Sequence, residues 1–214
     1  MRPLEAGRLF LEALKWYQKP LDHQYSSEEI DLYDASADKL TGRRHFAKEF
    51  VATFLPDEYD PGITIEIAAG TGLISESLAS RVKASNLYLS DISPAAVRKL
   101  RNRMNDRATI DQADFFHLPY KDNFANTLVC VGGYRYVGER VSEFWNEVNR
   151  VVAPGGTILV AEFHPLIRRI SGIQLQHDVL PDELSLISQT NILSHTDPFS
   201  IPSGRYTVSV IKKA

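Results

Sequence analysis

Residues 63–75 read ITIEIAAGTGLIS: a β-branched apolar run, then Ala68, Ala69, Gly70, Thr71 and Gly72, then a stretch of helical character. Glycine at a strand-to-helix junction lets the backbone approach a ligand with no Cβ in the way. The first N–H groups of the helix that follows can receive a carboxylate or a phosphate. An ordinary strand-to-helix turn also favours glycine, so the motif gains meaning only from its surroundings.

Working outward, short apolar runs alternate with longer helical patterns. ITIEIAA, LYLSDI, ATIDQAD, TLVCVGG and TILVAEF read as strands; SESLASRVK, SPAAVRKLRNRM and VSEFWNEVNRVV read as helices between them. This alternation indicates βαβ units and a parallel sheet covered on both faces. Ligands of such sheets bind at the carboxyl ends of the strands, where strand order reverses. Upstream, residues 43–55 (RRHFAKEFVATFL) place Phe46, Phe50, Val51 and Phe54 on one helical side, and Pro56 ends it. Residues 4–17 form a second amphipathic helical pattern, ended by Pro20, and residues 20–31 are polar and turn-like. Near the other end, residues 181–190 (PDELSLISQT) begin with Pro, Asp and Glu, the signature of a helix N-terminus. Residues 205–213 (RYTVSVIKK) alternate as a strand does.

The bulk properties narrow the function classes. The chain has 214 residues, 43% hydrophobic and 24% charged, with a formal net charge of -3. That is the composition of an ordinary globular protein, and its charge balance argues against a nucleic-acid groove. The basic stretch 97–107 (VRKLRNRMNDR) reads as a solvated helix face, with Val97, Leu100 and Met104 on its apolar side. A single cysteine, Cys130, sits in an apolar strand and fits a reducing compartment. No signal sequence and no membrane span are read, and the expected localisation is cytoplasmic.

The strand ends carry the candidate chemistry. The second strand closes on Asp91, 25 residues beyond Glu66, and an acidic side chain there can accept from both hydroxyls of a ribose. Asp91 and Ser93 can equally cap the helix that Pro94 opens. The third strand closes on Asp114, followed by Phe115 and Phe116, a carboxylate and an aromatic pair suited to an amino edge and a purine face. No Gly-Lys dipeptide, no Gly-x-Ser-x-Gly elbow and no His-Glu-x-x-His occur, so phosphate-loop, serine-hydrolase and zinc readings have no support, and no metal is expected. A nicotinamide dehydrogenase would carry Gly or Ala at position 75, where Ser75 stands.

With residues 118–131 (LPYKDNFANTLVCV) and 148–163 (VNRVVAPGGTILVAEF), these strand ends make the chain resemble the class I S-adenosylmethionine-dependent methyltransferases. Within that class it is similar to the small-molecule branch of the ubiquinone and menaquinone biosynthesis methyltransferases. The resemblance covers roughly residues 40–164, with weaker echoes in Tyr33 to Asp38 (YDASAD) and in the terminal strand. It implies an α/β fold: a doubly wound, mostly parallel seven-stranded sheet, Rossmann-like, with an N-terminal helical appendage. Residues 1–42 would be a cap or lid segment and residues 43–214 the cofactor-binding domain. It implies S-adenosylmethionine as cofactor, with Glu66, Ala68, Gly70 and Gly72 around its methionine part. Asp91 would hold the ribose and Ile92 lie against the adenine; Asp114 and Phe115 would take the adenine amino edge, and Tyr33 would close over the cofactor. Two positions depart from the pattern: Ala68 stands at the usual first glycine, where an alanine is tolerable with negative φ, and Asn126 replaces an aspartate that commonly opens the fourth strand.

The implied reaction is in-line transfer of a methyl group to an O, N or C nucleophile of a small molecule. Alignment is then the protein's main contribution, worth roughly 7 to 11 kcal/mol. Tyr25 and Tyr33 are lid candidates that would keep the site dry. By position, Tyr134 and Tyr136 after the fourth strand and His164 after the fifth face the transferred group, with His164 and Tyr134 the candidate catalytic residues. Two further readings stay open: a cofactor-binding protein or non-methylating cyclase on the same fold, and an NAD(P)-dependent oxidoreductase. The expected partner is a small-molecule methyl acceptor, with no nucleic acid, no membrane span, and a monomer or homodimer as the assembly.

Overall fold

The computed structural model describes residues 25–33, 43–163, 180–193 and 205–214. The N-terminal helical pattern at residues 4–17, the stretch 34–38 and His164 lie outside them. A short helix at residues 27–33 (α1) precedes α2 (Arg43–Phe54), and strands and helices then alternate. They are β1 (Thr64–Ile67), α3 (Ser75–Leu78), β2 (Leu87–Asp91), α4 (Pro94–Met104), β3 (Thr109–Gln112), β4 (Ala125–Val131), α5 (Val141–Val151), β5 (Val152–Phe163), β6 (Leu184–Leu193) and β7 (Arg205–Lys213). The seven strands form one sheet in the order β3-β2-β1-β4-β5-β7-β6. β3, β2, β1, β4 and β5 pair in parallel, while β7 runs antiparallel to both β5 and β6. This is the α/β, mostly parallel seven-stranded arrangement read from the sequence. The dinucleotide-binding order 3-2-1-4-5-6 has no such antiparallel insertion, which counts against the oxidoreductase reading.

Period-2 alternation sorts the side chains onto the two faces. Ile65, Ile67, Leu128, Cys130, Ile158 and Val160 meet Phe144, Trp145 and Val148 of α5 on one face. Leu89, Val129, Leu159, Tyr206 and Val208 meet Phe46 and Phe50 of α2, Leu78 of α3 and Leu100 of α4 on the other. The rings of Phe46 and Tyr206 stack at 3.6 Å, fixing α2 against β7. Cys130 is a buried free thiol, as its apolar run implied.

The basic stretch on α4 spends its charge within the molecule. Arg98 donates to Ser27 Oγ, Lys99 pairs with Asp31 at 2.6 Å, and Arg107 donates to the Arg103 carbonyl. Through these contacts, and through Ile30 packed on Ala95 and Ala96, α1 rests on α4.

Three expectations need correction. Residues 27–31, in the stretch expected to be polar and turn-like, belong to the helix α1. Residues 181–190 do not open a helix: Leu184–Leu193 is the edge strand β6. Only Leu184 is buried in residues 184–190, so the strand has no alternating apolar face to announce it. The helix expected over residues 75–83 is four residues long, because the chain turns after Leu78. Arg81 fixes that turn by donating to the carbonyls of Leu55, Pro56 and Tyr59.

Candidate functional site

β1 lies between β2 and β4, so the order reverses at its carboxyl end, the place where sheets of this kind hold a ligand in a crevice. The glycine turn fills the base of that crevice. Gly70 has φ +58, and a Cβ built on it would meet nothing within 4 Å: the backbone borders open space. Gly72, at φ +86, packs so closely on Leu100 that a Cβ would come within 2.6 Å of its Cδ1. Ala68 adopts φ +52, contrary to the negative φ that would make an alanine comfortable there. Its Cβ therefore carries left-handed strain that a glycine would not.

Two carboxylates brace this turn. Asp91, half-buried at the end of β2, accepts from the Gly70 N–H at 2.8 Å through Oδ2 and from the Ser93 N–H at 2.9 Å through Oδ1. Burial pushes its carboxyl above the usual range, against those two hydrogen bonds. Each oxygen keeps a lone pair for a further donor. Capping of α4 falls to Ser93, whose Oγ accepts from the Ala96 N–H, with Pro94 opening the helix. Glu66, buried in β1, accepts from Ser75 Oγ at 2.5 Å. Burial pushes its carboxyl up to about 8; the Ser75 hydrogen bond and the Arg43 charge oppose the rise and the Asp91 charge adds to it.

Around the crevice the remaining expected residues are placed as follows. Ile92, next to Asp91, is 63% exposed, a mostly uncovered apolar side chain. Asp114 lies two residues past β3, where Oδ1 accepts from the Phe116 N–H at 3.0 Å and Oδ2 makes no hydrogen bond among the described residues. Phe115 sits edge-on to Phe116 and to Phe144, half-buried. Tyr33, at the end of α1, takes a hydrogen bond from Arg43 and stacks under its guanidinium at 5.1 Å. Tyr25 reaches across to Tyr136, hydroxyl to hydroxyl at 3.2 Å, and burial raises its phenol above the ordinary value.

Of the two candidate catalytic residues, His164 is outside the described residues. Tyr134 is 3% exposed and packs edge-on to Phe144 and tilted against Trp145, so its ring belongs to the core beneath the crevice. A residue that sequence reasoning missed is Glu162, near the end of β5. Burial pushes its carboxyl up to about 7, opposed by the Arg135 charge, the Tyr134 and Arg135 backbone N–H groups and the Arg43 charge. The available signal was a lone charged residue in the apolar run TILVAEF.

Residues 65–160 match the family model described as a methyltransferase domain. Ubiquinone/menaquinone biosynthesis C-methyltransferase of Neisseria meningitidis is 33% identical over 112 residues, 50% of this chain and 45% of that protein. The chain thus spans about half the length of such relatives. Among solved structures, the N-methyltransferase NodS of Bradyrhizobium japonicum in complex with S-adenosyl-L-homocysteine superposes with a TM-score of 0.67 at 14% identity, over 93% of this chain and 97% of that one. The [4+2]-cyclase SpnF superposes with a TM-score of 0.57 at 13% identity, over 89% and 97%. At such identities the superpositions speak for the fold alone. Residues 65–160 are thus similar to a methyltransferase domain, in line with the resemblance to class I S-adenosylmethionine-dependent methyltransferases and, among them, to the ubiquinone and menaquinone biosynthesis enzymes.

Proposed function

We propose that this chain is an S-adenosylmethionine-dependent methyltransferase that moves a methyl group to an O, N or C nucleophile of a small molecule by in-line displacement. The observation that carries the reading is the hydrogen bond from the Gly70 N–H to Asp91 Oδ2, which joins the glycine turn of β1 to the acidic end of β2 in one cradle. The cradle suits the cofactor: open space in front of Gly70, a carboxylate with spare lone pairs at Asp91, an uncovered apolar wall at Ile92, and a free carboxylate oxygen at Asp114.

When bound, S-adenosylmethionine supplies an activated methyl group on a sulfonium. Glu66, Ala68, Gly70 and Gly72 would hold its methionine part, Asp91 the ribose, and Ile92, Asp114 and Phe115 the adenine. Tyr33 and Tyr25, tied to Arg43 and Tyr136, would cover the crevice and exclude water, residues 1–42 acting as the cap of a domain at 43–214. Desolvation by such a cap strengthens every charge interaction beneath it. The acceptor is a small molecule and the reaction site is cytoplasmic in this reading, with a monomer or homodimer carrying it out.

Binding without methyl transfer is the second reading, favoured by Ala68, an alanine held at φ +52 where the family's first glycine usually stands. Thermal unfolding with S-adenosylhomocysteine, S-adenosylmethionine or NADH tests both. A true ligand at a hundredfold its Kd adds about 2.7 kcal/mol of stability. Stabilisation by the two adenosyl compounds and transfer of labelled methyl to a quinol or phenol panel are expected. Stabilisation by NADH alone would overturn the proposal, and binding with no transfer to any acceptor would favour the second reading.

A further inference from the structure

Along the sheet order β2, β1, β4, β5, the carboxyl ends present Asp91, Glu66, Cys130 and Glu162. Asp91 and Glu66 brace the glycine turn, so a ligand seated there has its far side toward β4 and β5. Glu162 is the ionisable side chain on β5 at that edge, paired in register with Thr207 of β7. The β5 end is held to the β4 exit by the Gly132 N–H donating to the Ala161 carbonyl at 2.8 Å. The Arg43 charge acts on Glu66 and Glu162 alike, which sets both carboxylates in one shared field.

The two oxygens of Glu162 are treated differently. The N–H groups of Tyr134 and Arg135 hydrogen-bond to the carboxylate. Oε1 is buried and has no hydrogen-bond partner among the described residues. Those backbone donors therefore meet Oε2, which braces the loop after β4 and leaves Oε1 as an acceptor without a donor. Native proteins almost always satisfy such an atom, with protein, water or ligand. The flanking charges select what can do so. Arg135, whose charge acts on Glu162 more strongly than that of Arg43, disfavours a cationic amine and tolerates a neutral hydroxyl.

We propose that Glu162 is a specificity-determining residue of the acceptor space, its Oε1 receiving a hydrogen bond from a neutral hydroxyl on the methyl acceptor. This rests on the methyl-transfer reading above. A site built around a buried carboxylate rejects analogues that lack the donor, because the oxygen is then left unpaired.

The test uses the full chain saturated with S-adenosylhomocysteine and titrated with catechol or with its capped counterpart 1,2-dimethoxybenzene, followed by saturation-transfer NMR. Catechol is expected to bind at least about tenfold more tightly than the capped probe, and Glu162→Gln to reduce that preference below about twofold. The glutamine retains an oxygen for the Tyr134 and Arg135 N–H groups, so affinity for S-adenosylhomocysteine should stay within about twofold of the parent. Glu162→Asp, which keeps the charge but withdraws the oxygen, should also lose the preference and serves if the glutamine variant does not fold. An undiminished preference in the variants, or none in the parent chain, would overturn the inference and leave the methyl-transfer reading standing. Failure of S-adenosylhomocysteine itself to bind would overturn both.

Discussion

The Cβ of Ala68 lies 2.5 Å from where a side chain on Gly133 would begin. The turn after β1 and the loop after β4 are thus in contact, and they share one small space. Cys130 Sγ, 2.9 Å from the same point, closes it from below. Gly133→Ala should cost about 1 to 3 kcal/mol by overpacking. Ala68→Gly removes the nearer of the two clashes, so the double variant should recover part of that loss. Chemical denaturation of the four proteins in a double-mutant cycle is expected to give a coupling of about 1 kcal/mol. Additivity would show that the two loops move apart freely.

Ala68→Gly by itself has a separate consequence. At φ +52 an alanine is strained by about 1 to 2 kcal/mol, and the flexibility of glycine in the unfolded chain offsets part of the relief. The variant should be about 0.5 to 1 kcal/mol more stable, and it should bind S-adenosylhomocysteine at least as tightly. Calorimetric unfolding and titration check both. Weaker binding would mean that the alanine methyl itself touches the ligand.

The pH dependence follows from Glu66. Its carboxyl is neutral in the fold up to about pH 8, whereas in the unfolded chain it ionises near the ordinary value of 4.5. A raised carboxyl favours the folded state at low pH, and that contribution is lost as pH climbs from about 4.5 through 8. Glu162, pushed up to about 7, acts in the same direction. The ligand-free melting temperature should therefore fall between about pH 4.5 and 8, and Glu66→Gln should flatten the slope. A cationic ligand group beside Glu66 favours its ionised form. Titrations of S-adenosylhomocysteine in buffers of different ionisation heat should then report proton release near pH 7, and tighter binding as pH rises toward 8.

How much of this could be read from sequence depends on whether a residue's role is local. β1, β2, β4 and β5 were legible because buried parallel strands are continuous apolar runs, and the place of Asp91 at the end of β2 because that run closes on it. β6 was not, since an edge strand with Leu184 alone buried in residues 184–190 has no periodicity, and Pro181, Asp182 and Glu183 mimic a helix start. The burial of Tyr134 was not legible either, for a different reason. It sits in a 3-10 turn at Tyr134–Tyr136, where one residue of rotation separates the crevice from the core, and no sequence pattern fixes that rotation. Glu162 and Arg43 were missed because their meaning is tertiary: residues 119 positions apart share one field only after β5 and α2 are placed.

Arg150 tests a support at some distance from the crevice. It donates to Glu147 through Nε and Nη2, to Asp122 at 2.8 Å, and to the carbonyls of Tyr120 and Leu118. Glu147 in turn accepts from the Leu118 N–H at 2.6 Å. One guanidinium thus pins the chain between β3 and β4, the same connection that carries Asp114 and Phe115. Arg150→Ala should destabilise by about 2 to 3 kcal/mol, read from denaturant midpoints. Lysine, with no planar fork, should recover less than half of that.

Ile92 separates a ligand contact from a structural one. With 63% of its surface exposed beside the half-buried Asp91, it contributes little to the core, and surface changes of that kind usually stay within about 0.5 kcal/mol. Ile92→Asp should accordingly leave the melting temperature almost unchanged. If the side chain is the apolar wall for an adenine, the same substitution replaces that wall with a charge that the bound ring would have to desolvate. Affinity for S-adenosylhomocysteine should fall at least about tenfold, which corresponds to 1.4 kcal/mol, while adenosine should weaken in parallel and methionine should not. Equal weakening of methionine would place the residue at the other end of the ligand, and unchanged affinity for all three would remove Ile92 from the site.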